Sequence, residues 1–331
     1  MMDTPQQRHL PPPATPPAGG RFSLRQTRSL LDALGHSPRR PLGQNFLVDG
    51  NIVAKSLQLA SVDAGDVVVE IGPGLGTLTA ALLTAGATVY TVERDATLAR
   101  HLREWLTPLF PQKFFLTQGD AIDFPLAGLP EIAAFRSAAT LFAATVPSAA
   151  GTPPATPPAT PAAPSVFQFK VVANLPYAIS TPWLDAVLRA PILPAEMVVM
   201  LQREAAERFC ATSGKHVGAI SVALDAAFEV VPGHNVPPQC FFPPPRVDSV
   251  LLHLRRRADP RRLLPETRRI LRALFLHRRK QLGSVLRTLA QTPALTAWFA
   301  RFPEWGLTRE IRPEKIPFPV WAALDAGIRE Q

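Results

Sequence analysis

Cysteine is scarce in this chain of 331 residues, and the two cysteines, Cys210 and Cys240, form no Cys-x-x-Cys pair. This spacing predicts two free thiols in a reducing compartment rather than a disulfide framework or a thiolate metal site. The seven histidines are scattered and show no His-Glu-x-x-His or similar ligand spacing. We therefore expect no bound metal.

Long apolar runs are also lacking, and acidic residues are outnumbered by basic ones. No uncharged apolar stretch reaches the roughly 18 residues of a membrane span. The first residues are polar and rich in proline, unlike the basic head and apolar stretch of a secretory signal, so a cytoplasmic protein is expected. Lysine and arginine number 35 against 26 aspartate and glutamate, which gives a formal charge of +9. This excess favours a polyanionic partner or an anionic membrane surface, and charge alone does not choose between them.

Proline is abundant, with 37 residues, and its placement marks two segments. Six prolines fall in the first 20 residues, and residues 1–22 are predicted to be a disordered extension. A second tract runs from Pro147 to Pro164, repeats Thr-Pro-Pro-Ala and holds seven prolines without any charge. Such a tract cannot bury a core and lacks backbone donors, which predicts an extended, solvated loop.

Between these tracts and beyond them, strand and helix patterns alternate. Strands are predicted at residues 66–71, 87–92, 113–117, 167–173 and 196–201, and helices at 77–85, from Asp95 towards Trp105, and at 181–189. This alternation predicts a doubly wound α/β sheet in a domain over residues 23–254. Residues 255–287 hold twelve Lys/Arg against two acidic residues, with apolar positions at helical spacing. A small basic helical domain is therefore predicted over residues 255–331.

The first predicted strand runs into a glycine loop, Glu-Ile-Gly-Pro-Gly-Leu-Gly, at residues 70–76. Glycines let the chain turn sharply and bring the backbone close to a ligand at the end of the strand. The spacing is Gly-x-Gly-x-Gly, and Pro73 removes an amide that could bind phosphate. The loop thus favours a ligand without a pyrophosphate, although by itself it fits an ordinary tight turn equally well.

Acidic residues end the next two predicted strands. Glu93 follows the glycine loop by about 20 residues, where a carboxylate can bond both hydroxyls of a ribose; the alternative is a surface residue beside Arg94. Asp120 can accept from an adenine amino group, or can cap the next segment. Suitable residues at three successive strand ends resemble the adenosylmethionine pocket of Rossmann-like class I methyltransferases. Gly72, Glu93 and Asp120 are therefore candidate cofactor-binding residues.

The fourth predicted strand ends in Asn-Leu-Pro-Tyr at residues 174–177. In isolation this is a proline-stabilised turn, but after such a pocket it resembles the Asn/Asp-Pro/Leu-Pro-Tyr signature of amine methyltransferases. The lone pair of an adenine amino group is delocalised into the ring, and a side-chain oxygen that accepts its N–H bonds favours a more tetrahedral nitrogen. Asn174 can supply that oxygen, and Tyr177 a flat face for the base. Asn174, Pro176 and Tyr177 are the candidate catalytic residues.

Four further motifs make the resemblance specific. They are Gly-Gln-Asn-Phe-Leu at 43–47, Phe-Pro-Pro-Pro-Arg-Val-Asp-Ser-Val at 242–250, Leu-Phe-Leu-His-Arg-Arg-Lys at 274–280 and Arg-Pro-Glu at 312–314. With them, residues 23–331 resemble the small-subunit ribosomal RNA adenine dimethyltransferases. That family transfers methyl groups from S-adenosylmethionine to N6 of two adjacent adenosines near the 3′ end of small-subunit rRNA. The resemblance implies a monomer that binds rRNA in a pre-ribosomal particle, without metal or membrane.

The resemblance also implies roles for individual residues. Asn45, Leu47 and Asn174 would touch the cofactor, and Phe241 or Phe242 would form the second wall of the adenine pocket, unless both belong to the core. The residues that would hold RNA phosphates, or form a merely solvated basic face, are Arg278, Arg279 and Lys280.

Two alternative functions stay open, and the sequence departs from the family pattern at two places. A large-subunit rRNA adenine methyltransferase of the macrolide-resistance type shares several motifs, but the 242–250 and 312–314 elements favour the small-subunit enzyme. A non-catalytic relative acting in ribosome assembly or transcription is disfavoured because Glu93, Asp120 and Asn174 are all present. The N-terminal extension and an insertion at about residues 127–165 are additions to the family pattern.

Overall fold

The computed structural model describes residues 22–39, 42–129, 167–287 and 292–331. The extension over 1–22 and the insertion over about 127–165 lie outside these ranges, apart from Phe22 and residues 127–129. Phe22 is buried, and its ring meets Trp105 edge-on with the centroids 5.4 Å apart. The chain is therefore packed against the α/β domain from Phe22 onwards.

The described residues contain nine strands and eleven α-helices. The strands are β1 (Phe46–Leu47), β2 (Val67–Ile71), β3 (Thr88–Glu93), β4 (Phe114–Gln118), β5 (Lys170–Asn174), β6 (Glu196–Gln202), β7 (Phe228–Val236), β8 (Phe241–Phe242) and β9 (Ser249–Arg256). The helices are α1 (Leu24–Ala33), α2 (Gly50–Leu59), α3 (Thr77–Thr84), α4 (Ala96–Leu109), α5 (Ser180–Val187), α6 (Arg203–Phe209), α7 (Ala219–Ala227), α8 (Pro265–Leu276), α9 (Leu282–Leu286), α10 (Pro293–Ala300) and α11 (Phe318–Arg329).

Seven strands form one sheet in the order β4-β3-β2-β5-β6-β9-β7. The first five are parallel, and β9 and β7 run antiparallel at the far side. The chain moves outward from β2 to β4 and then returns to the other side of β2 with β5. Ligands of open α/β sheets bind at the carboxyl ends of the strands where the strand order reverses. That point lies here between β2 and β5.

The predicted α/β sheet is confirmed, with strand bounds that shift by one to three residues. The central strands β2, β3, β5 and β6 are buried on both faces, as a parallel sheet covered by helices requires. Asp95 caps α4 as predicted, because its Oδ1 accepts from the backbone N–H groups of Thr97 and Leu98. The antiparallel strands β7 and β9 and the short pair β1–β8 are additional to the prediction.

The helices after β9 pack on the sheet domain through a continuous hydrophobic cluster. Leu254 of β9, Ile270 of α8 and Leu324 of α11 belong to the same cluster of buried side chains. Trp298 and Trp321 stack within it, with centroids 5.2 Å apart. No helix in the described ranges is long and apolar enough to cross a membrane.

Candidate active site

The glycine loop after β2 turns sharply, as its sequence predicts. Gly72, Gly74 and Gly76 have φ angles of 63°, 60° and 86°, values that L side chains rarely adopt. A Cβ on Gly72 would lie 3.1 Å from Cγ of Pro176, and one on Gly74 would lie 3.2 Å from the ring of Phe46. The missing side chains thus allow the Asn-Leu-Pro-Tyr turn and the 43–47 segment to close directly onto the loop.

Glu93, at the end of β3, is buried rather than exposed beside Arg94. Its Oε2 accepts from the backbone N–H of Gly74 at 3.1 Å, and its Oε1 accepts from that of Asp95 at 2.9 Å. Burial raises the pKa of this carboxyl, and the two backbone hydrogen bonds oppose the rise. Each oxygen keeps a second lone pair, so the carboxylate can still accept from a ligand hydroxyl.

Asp120 combines a structural contact with a position in the site. Its Oδ1 accepts from the backbone N–H of Ile122 at 2.9 Å, and its Oδ2 lies 3.2 Å from Nη1 of Arg94. Asp120 therefore caps the segment that follows it, which is one of the two roles that the sequence allowed. Asp120 also lines the same cleft as Glu93, so its capping contact does not remove it from the candidate site.

Glu70, the first residue of the glycine motif, received no role from the sequence. It is only 2% exposed, it lines the cleft, and its Oε2 has no hydrogen-bond partner within the described ranges. Burial raises its pKa to about 8, the nearby hydroxyl of Thr79 opposes the rise, and the charge of Glu93 adds to it. An acidic residue inside a run of buried valines was the signal, because such a group is rarely buried without a purpose.

Glu70 should make the stability of the fold depend on pH. Its folded pKa of about 8 lies above the ordinary value of 4.5, so the folded state holds this proton more tightly than the unfolded chain. The resulting stabilisation is present below about pH 4.5 and is lost as the pH rises through about 8. Relative to Glu70→Gln, the wild-type free energy of unfolding should therefore fall between about pH 5 and 9.

Urea denaturation at several pH values measures this difference. Glu104→Gln, which removes an exposed carboxyl from α4, is the matched control. A wild-type protein whose stability runs parallel to that of Glu70→Gln over the whole range would show that Glu70 is ionised in the fold.

Asn174 ends β5 and is held by the 43–47 segment. Its Nδ2 donates to the backbone carbonyl of Asn45 at 3.1 Å, and Nδ2 of Asn45 donates to the carbonyl of Gly43 at 3.1 Å. With Nδ2 engaged, the amide of Asn174 presents Oδ1 as an acceptor. Asn45, Leu47 and Asn174 all line the cleft.

Tyr177 lies one turn beyond Asn174, and its hydroxyl is 2.6 Å from Oγ of Ser249. Burial raises the pKa of the phenol, and the hydrogen bond with Ser249 opposes the rise. The phenol is therefore neutral at physiological pH and does not act as a general base. Pro176 lines the cleft and packs over Gly72, and its carbonyl accepts from the backbone N–H of Ile179 at 3.1 Å.

The structure distinguishes the two phenylalanines of β8. Phe241 is 2% exposed, pairs with Leu47 and packs in a core cluster. Phe242 is half-buried and pairs with Phe46, which lines the cleft, and the guanidinium of Arg28 lies 5.0 Å from its ring centroid. Phe242 is thus the more accessible candidate for the second wall of a base pocket.

Most basic residues of the 255–287 region already have partners in the protein. Arg257 pairs with Asp225, and Arg268 and Arg272 both pair with Asp185. In the turn after α8, Arg278 donates to the backbone carbonyl of Lys215. Arg279 and Lys280, by contrast, are exposed and form no ion pair with any described residue. Much of the predicted basic face therefore fastens the helices to the sheet domain.

The 43–47 segment, the glycine loop, Glu93, Asp120 and the Asn-Leu-Pro-Tyr turn surround a cleft of about 1040 Å³. The cleft lies at the carboxyl ends of β2 to β5, and part of it is open to solvent. Its polar lining is dominated by acceptors. They are Glu70, Glu93, Asp120 and Asn174. No group of histidine, cysteine and acidic side chains suited to a metal ion occurs among the residues described. The lining suits an organic ligand that donates several hydrogen bonds and carries positive charge.

Comparison with known proteins identifies the family of the chain. The family model described as ribosomal RNA adenine dimethylase matches residues 35–302. The chain belongs to this family. The sequence-based identification of the family is thereby confirmed, and with it the prediction of an enzyme that methylates adenine in ribosomal RNA.

Similar proteins and solved structures agree with the match. A ribosomal RNA small subunit methyltransferase A from Opitutus terrae is 52% identical over 299 residues, covering 90% of this chain and 96% of that protein. A dimethyladenosine transferase from Plasmodium falciparum superposes with a TM-score of 0.60 at 21% identity, covering 86% of this chain and 98% of that one. The 23S rRNA methyltransferase ErmE superposes with a TM-score of 0.53 at 22% identity, covering 86% of this chain and 100% of that one. These two structures support the class I methyltransferase fold of the family.

Proposed function

We propose that this family member dimethylates N6 of two adjacent adenosines near the 3′ end of small-subunit rRNA, with S-adenosylmethionine as the methyl donor. The small-subunit target is supported by the 52% identical relative, which is a small-subunit methyltransferase by name. The observation that carries the chemistry is the fixed amide of Asn174, whose Nδ2 is held by the carbonyl of Asn45. The substrate would be a pre-ribosomal particle in the cytoplasm, bound by a monomer.

The residues of the cleft fit this donor. Glu93 can accept from both ribose hydroxyls, and Asp120 from the adenine amino group. The unpartnered Oε2 of Glu70 offers an acceptor for the ammonium group of the methionine part. Positive charge beside Glu70 favours its ionised form, so donor binding would release the proton that burial retains. Asn45 and Leu47, on the segment that closes over the glycine loop, would complete the donor site.

When bound, S-adenosylmethionine supplies an electrophilic methyl group, and a nitrogen–carbon bond forms as the carbon–sulfur bond breaks and its electron pair passes to sulfur. The protein has to present the nitrogen in line with that methyl group. Oδ1 of Asn174 would accept one N–H bond and favour a tetrahedral nitrogen, while the ring of Tyr177 stacks on the base. The product nitrogen is cationic and gives up its proton to water, so no strong base is required. Positioning then provides much of the rate enhancement.

The target bases must leave any stacked arrangement to enter this site. Adenosines in a loop are extruded at lower cost than paired ones. Phe242 would close the pocket opposite Tyr177, and the neighbouring Arg28 adds positive charge beside it. The exposed Arg279 and Lys280 are the candidates for phosphate contacts at a distance from the cleft, with Arg278 fixing their turn.

Replacing Arg279 and Lys280 together with glutamine should weaken RNA binding without changing donor affinity. Two lost phosphate contacts should also reduce the salt dependence of binding by about 1.5 units of slope. Binding titrations over a range of salt concentrations measure both effects. Arg261→Gln/Arg269→Gln, which removes two exposed arginines that already pair with Asp259 and Glu266, is the matched control. An equal slope for the two double variants would assign Arg279 and Lys280 to a solvated surface.

Methyl transfer from labelled donor to isolated small and large subunits tests the proposed function. The expected product is dimethyladenosine at two adjacent positions of small-subunit rRNA, identified by mass spectrometry of nuclease fragments. Labelling confined to large-subunit rRNA would instead identify the enzyme as a relative of the macrolide-resistance type. Donor binding without transfer to either subunit would favour the non-catalytic alternative.

A further inference from the structure

The motif at residues 242–250 supports the family resemblance, but none of the chemistry described above explains its Ser249. This serine is completely buried, and its Oγ lies 2.6 Å from the hydroxyl of Tyr177. The two residues are 72 positions apart in the chain. A short hydrogen bond between two motifs that flank the target base requires a physical explanation.

Sheet topology explains how Ser249 reaches the active-site edge. β6 runs parallel to β5, so the carboxyl ends of both strands lie on the edge where Asn174 is found. β9 pairs antiparallel with β6, and its first residue, Ser249, is the partner of Gln202 at the end of β6. The beginning of β9 therefore meets the turn that carries Tyr177. A parallel strand in this place would put its first residue at the opposite edge.

The residue before Ser249 fixes the start of β9. Asp248 accepts at its backbone carbonyl from the N–H of Arg203, at 3.0 Å, and at its Oδ2 from Nη2 of the same arginine, at 3.1 Å. Ser249 itself is also paired with Val236 of β7. The backbone of Ser249 is thus fixed by pairing with β6 and β7 and by the contacts of Asp248 with the start of α6, whereas Tyr177 belongs to a short 3₁₀ turn.

We propose that Ser249 is a positioning residue for methyl transfer, which fixes the ring of Tyr177 at the angle needed to stack the target adenine. The aromatic ring stacks on the base, and the phenol oxygen anchors the ring to β9. A ring without this anchor can rotate about its side-chain torsions, and a small misplacement of the base has a large effect on transfer. This proposal rests on the proposed function only in taking an adenine as the stacked base.

A double-mutant cycle of Tyr177→Phe and Ser249→Ala tests the proposal. Each single variant loses the same hydrogen bond and should lower the single-turnover rate about fivefold, within the range for one such bond. The double variant should be no slower than either single variant, because neither partner is then left unpaired. Effects that multiply to about 25-fold would show that the two groups act separately and would overturn the proposal.

A spectroscopic measurement separates positioning from general stability. RNA carrying 2-aminopurine at the target position loses fluorescence when that base stacks on an aromatic ring. Ser249→Ala should reduce this quenching while overall RNA affinity and donor affinity stay within about twofold of wild type, because the ring is still present but no longer held. Ser56→Ala, which removes a buried hydroxyl from α2, should leave the quenching and the rate unchanged.

Full quenching in Ser249→Ala would mean that the hydrogen bond only stabilises the fold, and would also overturn the proposal. The cycle is measured with whichever subunit the wild-type enzyme methylates. A wild-type enzyme that prefers large subunits would contradict the proposed target while leaving the test of Ser249 intact.

Discussion

Asn174→Ala is expected to lower the single-turnover rate of methylation about 100- to 1000-fold, the effect of removing one preorganised hydrogen-bonding group that acts in a transition state. The carbonyl of Asn45 fixes the orientation of the Asn174 amide before substrate binds. The side chain therefore loses little conformational entropy when its Oδ1 accepts from the amine. Its contact with the amine strengthens as the nitrogen becomes tetrahedral, and the loss should therefore appear in the rate rather than in RNA affinity. The second methylation should suffer more, because the monomethylated amine retains a single N–H.

Mass spectrometry that resolves mono- and dimethyladenosine measures both steps. Asn51→Ala is the matched control, because Asn51 is exposed and its only described hydrogen bond, to Asp49, uses the backbone N–H that alanine keeps. Near-normal dimethylation by Asn174→Ala would contradict the mechanism and leave the Asn-Leu-Pro-Tyr motif as a structural turn.

Among alanine substitutions in the glycine loop, Gly76→Ala should be the most destabilising. A Cβ at this position would lie 2.8 Å from Cδ2 of Leu102 and 2.8 Å from Cζ3 of Trp105, both in the interior of α4. Overpacking of this kind costs about 1–3 kcal/mol. The φ angle of 86° adds about 1–2 kcal/mol for a residue with a side chain. We expect a loss of about 2–5 kcal/mol in the free energy of unfolding.

Gly65→Ala provides a control that separates the two contributions. Gly65 has a similar φ of 92°, but no atom lies within 4 Å of the Cβ that alanine would add. This variant should lose only about 1–2 kcal/mol, from backbone strain alone. Urea denaturation of both variants measures the difference. Equal losses would show that α4 moves aside without cost and that packing beneath the loop is loose.

The parallel half of the sheet could be predicted because each of its strands is a continuous apolar run that ends in a distinctive polar or glycine residue. β7 could not, since most of its residues are exposed and Gly233 and Pro232 interrupt its pattern. The pair β1–β8 is two residues long in each strand, too short for any periodicity. Residues 255–287 were predicted to be basic and helical, but Arg255 and Arg256 belong to β9 and the first helix, α8, begins at Pro265. The partners of the arginines, such as Asp185 on α5, depend on tertiary contacts.

The candidate site was predictable where a motif carries its own chemistry. Asn174, Glu93 and Asp120 stand at strand ends, and parallel strands bring such ends to one edge. Glu70 was missed because it lies inside an apolar strand, before the strand end at which the motifs place their functional residues. Ser249 was missed because its role depends on β9 running antiparallel to β6, which no local pattern reveals. Arg28 precedes every recognised motif, and only the packing of α1 brings it over Phe242.

The pairing of β1 with β8 also determines when the enzyme becomes active during its own synthesis. Phe46 can pair with Phe242 only after Phe242 has been synthesised. The amide of Asn174 likewise contacts Asn45, which lies 129 residues earlier in the sequence. Contacts between such distant segments form late, after local helices and neighbouring strands. A nascent chain therefore has no complete catalytic cleft until β8 and β9 have left the ribosome that is making it.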